Sequence, residues 1–132
     1  MTTVTLFRNA TNTQTFSAGQ VFFKAGDAAD VMYVVQEGEI DVLFAGTVLD
    51  TIGPGGIVGE MGLIEKRERS ATAVARTDCK VVPIDERYFQ RLTQQTPYFA
   101  HQVMEILAGR LRRYLEAPRP AAETESLVPM NR

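Results

Sequence analysis

Gly55-Gly56-Ile57-Val58-Gly59-Glu60-Met61-Gly62-Leu63-Ile64-Glu65-Lys66-Arg67-Glu68-Arg69-Ser70-Ala71-Thr72-Ala73 is the stretch that decides how the chain is read. It joins a glycine loop, one acid, a short helix-capable apolar run and an Arg-Ser pair ahead of a strand. Such a stretch can form a pocket for an organic phosphate. Gly59 permits close backbone approach. The amides that open the 61–64 turn can face an anion. Arg69 can pair with a phosphate bidentately. Ser70 adds a hydroxyl donor, and Glu60 can accept from a sugar hydroxyl. The same residues would also suit a surface loop in which residues 65–69 are merely solvated, so the flanking sequence has to decide.

Upstream, short β-branched and apolar runs alternate with turn signals. Residues 21–23 are stopped by Gly26-Asp27, and 31–35 by Glu37-Gly38. Residues 39–44 meet 47–52 across Ala45-Gly46, short enough for a tight hairpin. Gly53-Pro54-Gly55-Gly56 is a break. Downstream, 71–75 and 80–84 are two more strands. Many short strands with glycine turns point to a sandwich, barrel or jelly roll.

From residue 85 the pattern turns helical. Asp85 suits an N-cap for a helix over 86–93, with Glu86 in its first turn. Thr96-Pro97 reads as cap and first helical position of a second helix. Phe99, Val103, Ile106, Leu107, Leu111 and Tyr114 recur on it as one apolar stripe. Arg110, Arg112 and Arg113 suit the negative end of its dipole, and Pro118 closes it. Such a helix is roughly 30 Å long. The stretch 117–132 carries three prolines and few large apolar groups. It is expected to be a disordered tail.

Length and composition narrow the classes. The chain has 132 residues, 14 Lys+Arg against 16 Asp+Glu, and 45% hydrophobic residues. That is one domain without the basic excess of a nonspecific nucleic-acid binder. One cysteine, Cys79, excludes an internal disulfide framework, and one histidine, His101, excludes multi-histidine metal sites such as those of the jelly-roll cupin enzymes. No signal peptide or membrane-length apolar run is visible, which suggests a cytoplasmic chain. The 53–59 glycines lack a Gly-Lys-Ser/Thr ending and miss the dinucleotide spacing by one residue. No Gly-x-Ser-x-Gly elbow occurs. Cys79 reads as a small buried hydrophobe.

The cassette resembles the phosphate-binding cassette of the cyclic nucleotide-binding domain family. That family shows roughly Phe-Gly-Glu, then small and aliphatic residues, then Arg-Ser/Thr/Ala-Ala-Thr. Its Glu and Arg stand about nine or ten positions apart. Here Glu60 and Arg69 are nine apart and Arg69-Ser70-Ala71-Thr72-Ala73 fits the end. Residues 16–23 look like the family's first long strand entry, 25–35 its next element, and Glu37-Gly38-Glu39-Ile40 the turn that follows. The resemblance covers about residues 14 to 116. Two loop positions depart from it: Val58 replaces the usual aromatic, and Gly56 the usual polar residue.

The resemblance implies a mainly β fold with C-terminal helices. Its β part would be an antiparallel, jelly-roll-like β-roll with a short cassette helix, and two helices would follow. The domain would span 1–116 and the tail 117–132. Glu60 would bind the ribose 2′-hydroxyl, Arg69 the cyclic phosphate, and Ser70 phosphate or base. Backbone amides around Gly59, Met61 and Ala71 would complete the cradle. Tyr114 or Leu115 would act as an apolar lid over the base, or Tyr114 would only cover the barrel. The implied function is binding of a cyclic purine nucleotide, cAMP ahead of cGMP, by a regulatory module with no cofactor and no metal. A hydrolase would need a base or metal site that the cassette does not supply. Cassette ordering would move a hinge at 85–92, with Leu92–Phe89 and Leu107–Leu111 as contacts, and the last helix would close. Partners would be a second copy or an effector protein through that helix. Direct DNA binding is not expected, because about a dozen residues remain after Pro118 and Pro120, nor is membrane attachment, because no apolar run reaches membrane length. The other reading is a degenerate roll that scaffolds protein interactions without ligand.

Overall fold

The computed structural model describes residues 3–117. The expected tail and its prolines, Pro118 and Pro120, lie outside the described residues. In chain order the elements are β1 (Gln14–Phe16), β2 (Val21–Phe23), β3 (Val31–Glu37), β4 (Ile40–Phe44), β5 (Thr47–Ile52), β6 (Ile57–Val58), α1 (Glu60–Glu65), β7 (Thr72–Ala75), β8 (Cys79–Asp85), α2 (Glu86–Gln95) and α3 (Pro97–Glu116). The strands form two four-stranded antiparallel sheets, ordered β1-β8-β3-β6 and β2-β7-β4-β5. This is the expected β-roll followed by helices.

The period-two alternation of β3 explains the layering. Met32 and Val34 face one cluster, where they join Ile57, Val82 and Ile84 and the helical residues Leu92, Phe99, Val103 and Ile106. Tyr33 and Val35 face the other cluster, with Ile40, Ile52, Val58, Ala73, Ala75 and Val81. The β3 sheet is therefore a middle layer, covered by the helices on one side and by the second sheet on the other. That is why β3 reads as a continuous apolar run rather than an alternating one.

Local chemistry sets the boundaries. Ala45 and Gly46 both take left-handed φ, 51° and 81°, and join β4 to β5 as a two-residue turn. The single strand entry expected over 16–23 is instead two strands in different sheets. A turn at 17–20, closed by the Gln20 amide on the Ser17 carbonyl at 2.9 Å, separates them. Asp85 caps α2, its carboxylate accepting from the Tyr88 amide at 2.8 Å. Pro97 opens α3, but the Thr96 side chain makes no capping bond. Its backbone does the joining: the Thr96 amide donates to the Leu92 carbonyl at 2.8 Å, and its carbonyl accepts from the Phe99 amide at 2.9 Å.

The N-terminal segment was given no role by the sequence. It is held by the Gln36 carboxamide, which donates to the carbonyls of Phe7 and Ala10 at 3.1 and 3.0 Å. This buries Phe7 edge-on to Phe99, with ring centroids 6.0 Å apart. The apolar stripe of α3 also differs from expectation. Phe99, Val103 and Ile106 are buried and Leu107 packs against them, but Leu111 is 59% and Tyr114 77% exposed. The face that continues 99, 103, 106 carries Arg110 and Arg113 instead.

Candidate functional site

The cassette runs from β6 through Gly59 and α1 to β7. Gly59 stands at the N-cap of α1 with φ 84°. A Cβ there would lie 2.7 Å from Arg69 Nη1 and 3.2 Å from Phe23 Cε2, so only glycine lets the guanidinium seat. Gly56, one of the two departures from the family pattern, has a packing reason: a Cβ would run into the Ile52 side chain. Val58, the other, is buried between the sheets opposite Tyr33.

Arg69 is 5% exposed. Its backbone is pinned to the loop after β2: its amide donates to the Asp27 carbonyl and its carbonyl accepts from the Gly26 amide, both at 2.8 Å. Its Nη1 donates to the Gly59 carbonyl at 2.8 Å and its Nη2 to the Val31 carbonyl. The guanidinium carbon lies 3.9 Å from the centroid of the Phe23 ring. Nε is buried and has no partner. Burial pulls the Arg69 pKa below the ordinary guanidinium value, opposed by the negative potential of Tyr33, Asp30, Glu60 and Asp27. An orphaned buried donor on a charged group costs free energy unless something arrives to accept from it.

Glu60 is 4% exposed. Its Oε2 accepts from the Met61 amide at 3.1 Å. Its Oε1 accepts from Nη1 of Arg110 at 2.8 Å, and Nη2 of Arg110 donates to the Ile57 carbonyl. A second strap lies one helical turn further on, where Arg113 Nη2 meets Asp50 Oδ2 at 3.1 Å. The C-terminal helix is thus fastened to the cassette and to β5.

The structure brings Gly59, Glu60 and Arg69 together in one buried cluster. The side chains of Met61 and Ser70 are exposed there and Ala71 is half-buried. The Met61 amide, expected to face a phosphate, is engaged by Glu60. Tyr114 stands out toward solvent. Leu92 is buried with Phe89 packed on its cluster, whereas Leu111 lies outside it. Arg110 is the functional residue that sequence reasoning missed, having assigned it to the helix dipole. Its spacing from Val103 and Ile106 was the available signal. His101 is exposed and pairs with Glu105 at 3.3 Å. Among the described residues no three His, Cys, Asp or Glu side chains gather as a metal site, and no helix is long and apolar enough to cross a membrane. A groove of about 560 Å³ lies elsewhere on the cassette, lined by Asp30, Lys66, Arg67 and Glu86 among others; neither Glu60 nor Arg69 lines it.

Comparison with known proteins bears on the family and the fold. The model of the cyclic nucleotide-binding domain matches residues 13–96. A cAMP-dependent protein kinase regulatory subunit from Eremothecium gossypii is 35% identical over 88 residues, covering 67% of this chain and 19% of that protein. The crystal structure of the Thermus thermophilus catabolite activator protein superposes with a TM-score of 0.69 at 31% identity, covering 77% of this chain and 50% of the other. A cGMP-bound EAL enzyme superposes with a TM-score of 0.61 at 26% identity, covering 79% and 29%. The chain spans half or less of the length of each of these relatives. On the matched length, the shared roll and the cassette at its centre, the chain belongs to the cyclic nucleotide-binding domain family.

Proposed function

We propose that the domain binds a cyclic purine nucleotide, cAMP in preference to cGMP, as a regulatory sensor rather than an enzyme. The observation that carries this is Arg69: a buried guanidinium fixed on both Nη atoms, with Nε buried and unpartnered. A cyclic phosphate supplies the missing acceptor with charge assistance. Glu60, preorganised by Arg110 and the Met61 amide, accepts the ribose hydroxyl through its remaining lone pairs. Gly59 and Ala71 shape the cradle, and Ser70 serves phosphate or base. No other cofactor is needed. The preference for cAMP leans on the Eremothecium relative, which is named as cAMP-dependent. A related EAL enzyme is solved with cGMP and also with cAMP, so the preference is the finer part of the reading.

The C-terminal helix is the moving part. Glu60 is shared by the ligand and by Arg110, so nucleotide and helix position are linked through one carboxylate. Tyr114 or Leu115 then swings toward the base as a lid. The signal leaves through α3 to a second copy or an effector, without direct contact with DNA or a membrane. The lone unpaired thiol of Cys79 suits the cytoplasm.

One observation favours a second reading. Glu60 and both Nη atoms of Arg69 already have protein partners, and Met104, Leu111, Tyr114 and Leu115 are exposed on α3. A degenerate roll that scaffolds protein contacts would look the same. Calorimetric titration with cAMP and cGMP separates the two. Heat with both, tighter for cAMP, supports the sensor; absence of heat with either supports the scaffold.

A further inference from the structure

We infer that Phe23 is a positioning residue for Arg69, holding the guanidinium in its phosphate-ready pose by the face of its ring. This rests on the reading of the cassette as a phosphate site and adds to it a residue on a different strand. Three observations place Phe23 in that role. The guanidinium carbon is 3.9 Å from the ring centroid, well inside the reach of a cation–π contact. The register of β2 against β7 shifts between Val21 and Phe23, and such an irregularity re-aims a side chain. Phe22 meets the rings of Phe16 and Tyr33, and Phe23, packed against the same cluster, has Arg69 over its ring. Gly59 supplies the clearance, since a Cβ there would strike both Arg69 and Phe23.

The physical need is clear. A desolvated cation has to be stabilised by something that does not consume the donors meant for the ligand. A carboxylate on Nε would do so by occupying it. An aromatic face attracts the cation through its quadrupole and leaves every N–H free. It also limits rotation of a long side chain, so less freedom is lost when the phosphate docks. Asp30 adds negative potential nearby without a hydrogen bond to the guanidinium.

The test compares wild type, Phe23→Leu, Phe23→Met and Phe23→Tyr in calorimetric titrations with cAMP, alongside the proton shift of Arg69 Nε–H. That proton is assigned in wild type by through-bond correlation along the Arg69 side chain. The inference expects an upfield ring-current shift of that proton in wild type. It expects cAMP affinity to fall on the order of tenfold in the Leu and Met variants, with recovery in Tyr. Unchanged affinity in the Leu and Met variants overturns it. So does an equal loss in Tyr, or an Arg69 proton at the ordinary arginine position in wild type, which needs no variant to fold. Wild type that binds no cyclic nucleotide removes the phosphate reading and this inference together; the other adverse results remove the inference alone.

Discussion

Nη1 of Arg110 donates to Oε1 of Glu60 at 2.8 Å, joining the last helix to the cassette across 50 residues of chain. The carboxylate is buried and the guanidinium three-quarters so. Removing the arginine strands an uncompensated charge, which costs far more than losing an exposed pair. Arg110→Ala should lower the unfolding free energy by about 3 kcal/mol. Arg113→Ala, whose pair with Asp50 is more exposed, should cost less than about 1 kcal/mol. Urea denaturation compares them, and equal losses would show that burial of the Glu60 pair is not what matters. In the double variant with Glu60→Gln, much of the Arg110→Ala loss should return.

Gly59→Ala tests the close packing at the N-cap of α1. The residue holds φ 84°, and a Cβ would press on Arg69 and Phe23. The backbone strain alone is about 1–3 kcal/mol. Thermal melting should show that loss, and cAMP affinity should fall with it because Arg69 is displaced. A variant that melts and binds like wild type would mean the guanidinium does not need this clearance.

Cys79 gives a pH dependence. Burial raises its thiol pKa above the ordinary range, and the carbonyls of Glu39 and Thr77, both at 3.2 Å from the sulfur, accept only from the protonated thiol. Below about pH 8.5 both folded and unfolded chains keep the proton. As pH rises further, the unfolded chain releases its proton first, so stability falls. Tyr33, also raised by burial, acts in the same direction from about pH 10. The urea midpoint should therefore drop between pH 8 and pH 10, and drop less in Cys79→Ala. A thiol reagent at pH 8 should label the folded protein slowly and the denatured protein at once. A flat midpoint, or fast labelling of the folded protein, would contradict this.

The elements legible in the sequence are those whose signal is local. At Ala45-Gly46 the glycine takes the left-handed φ readily, and the apolar runs on both sides fix where the two-residue turn falls. Glu60 and Arg69 stand at the ends of one short cassette, so their spacing alone brings them together. Asp85 three residues before Tyr88 is a cap in sequence and in space. The elements that were not legible depend on distant partners. Val4 and Phe7 belong to no periodic run; distant groups fix them, among them Gln36, Phe99 and the Gly55 carbonyl, which the Val4 amide meets at 2.7 Å. On α3, an apolar reading continues from Leu107 to Leu111 and Tyr114. The face toward the roll continues instead from buried Ile106 to half-buried Arg110 and exposed Arg113, because those cations have carboxylates waiting on the roll. The short β6 is too brief for any pattern and exists because β3 offers Tyr33 and Val34 as partners.

The central claim is that Arg69 is the phosphate anchor of a cyclic-nucleotide site. Titrating wild type and Arg69→Ala side by side with cAMP tests it most directly. Truncating one member of a buried charge pair costs about 2–5 kcal/mol. The account therefore predicts saturable binding by wild type and a loss on the order of 30-fold or more in a variant that remains folded. Equal binding by the two proteins would contradict it.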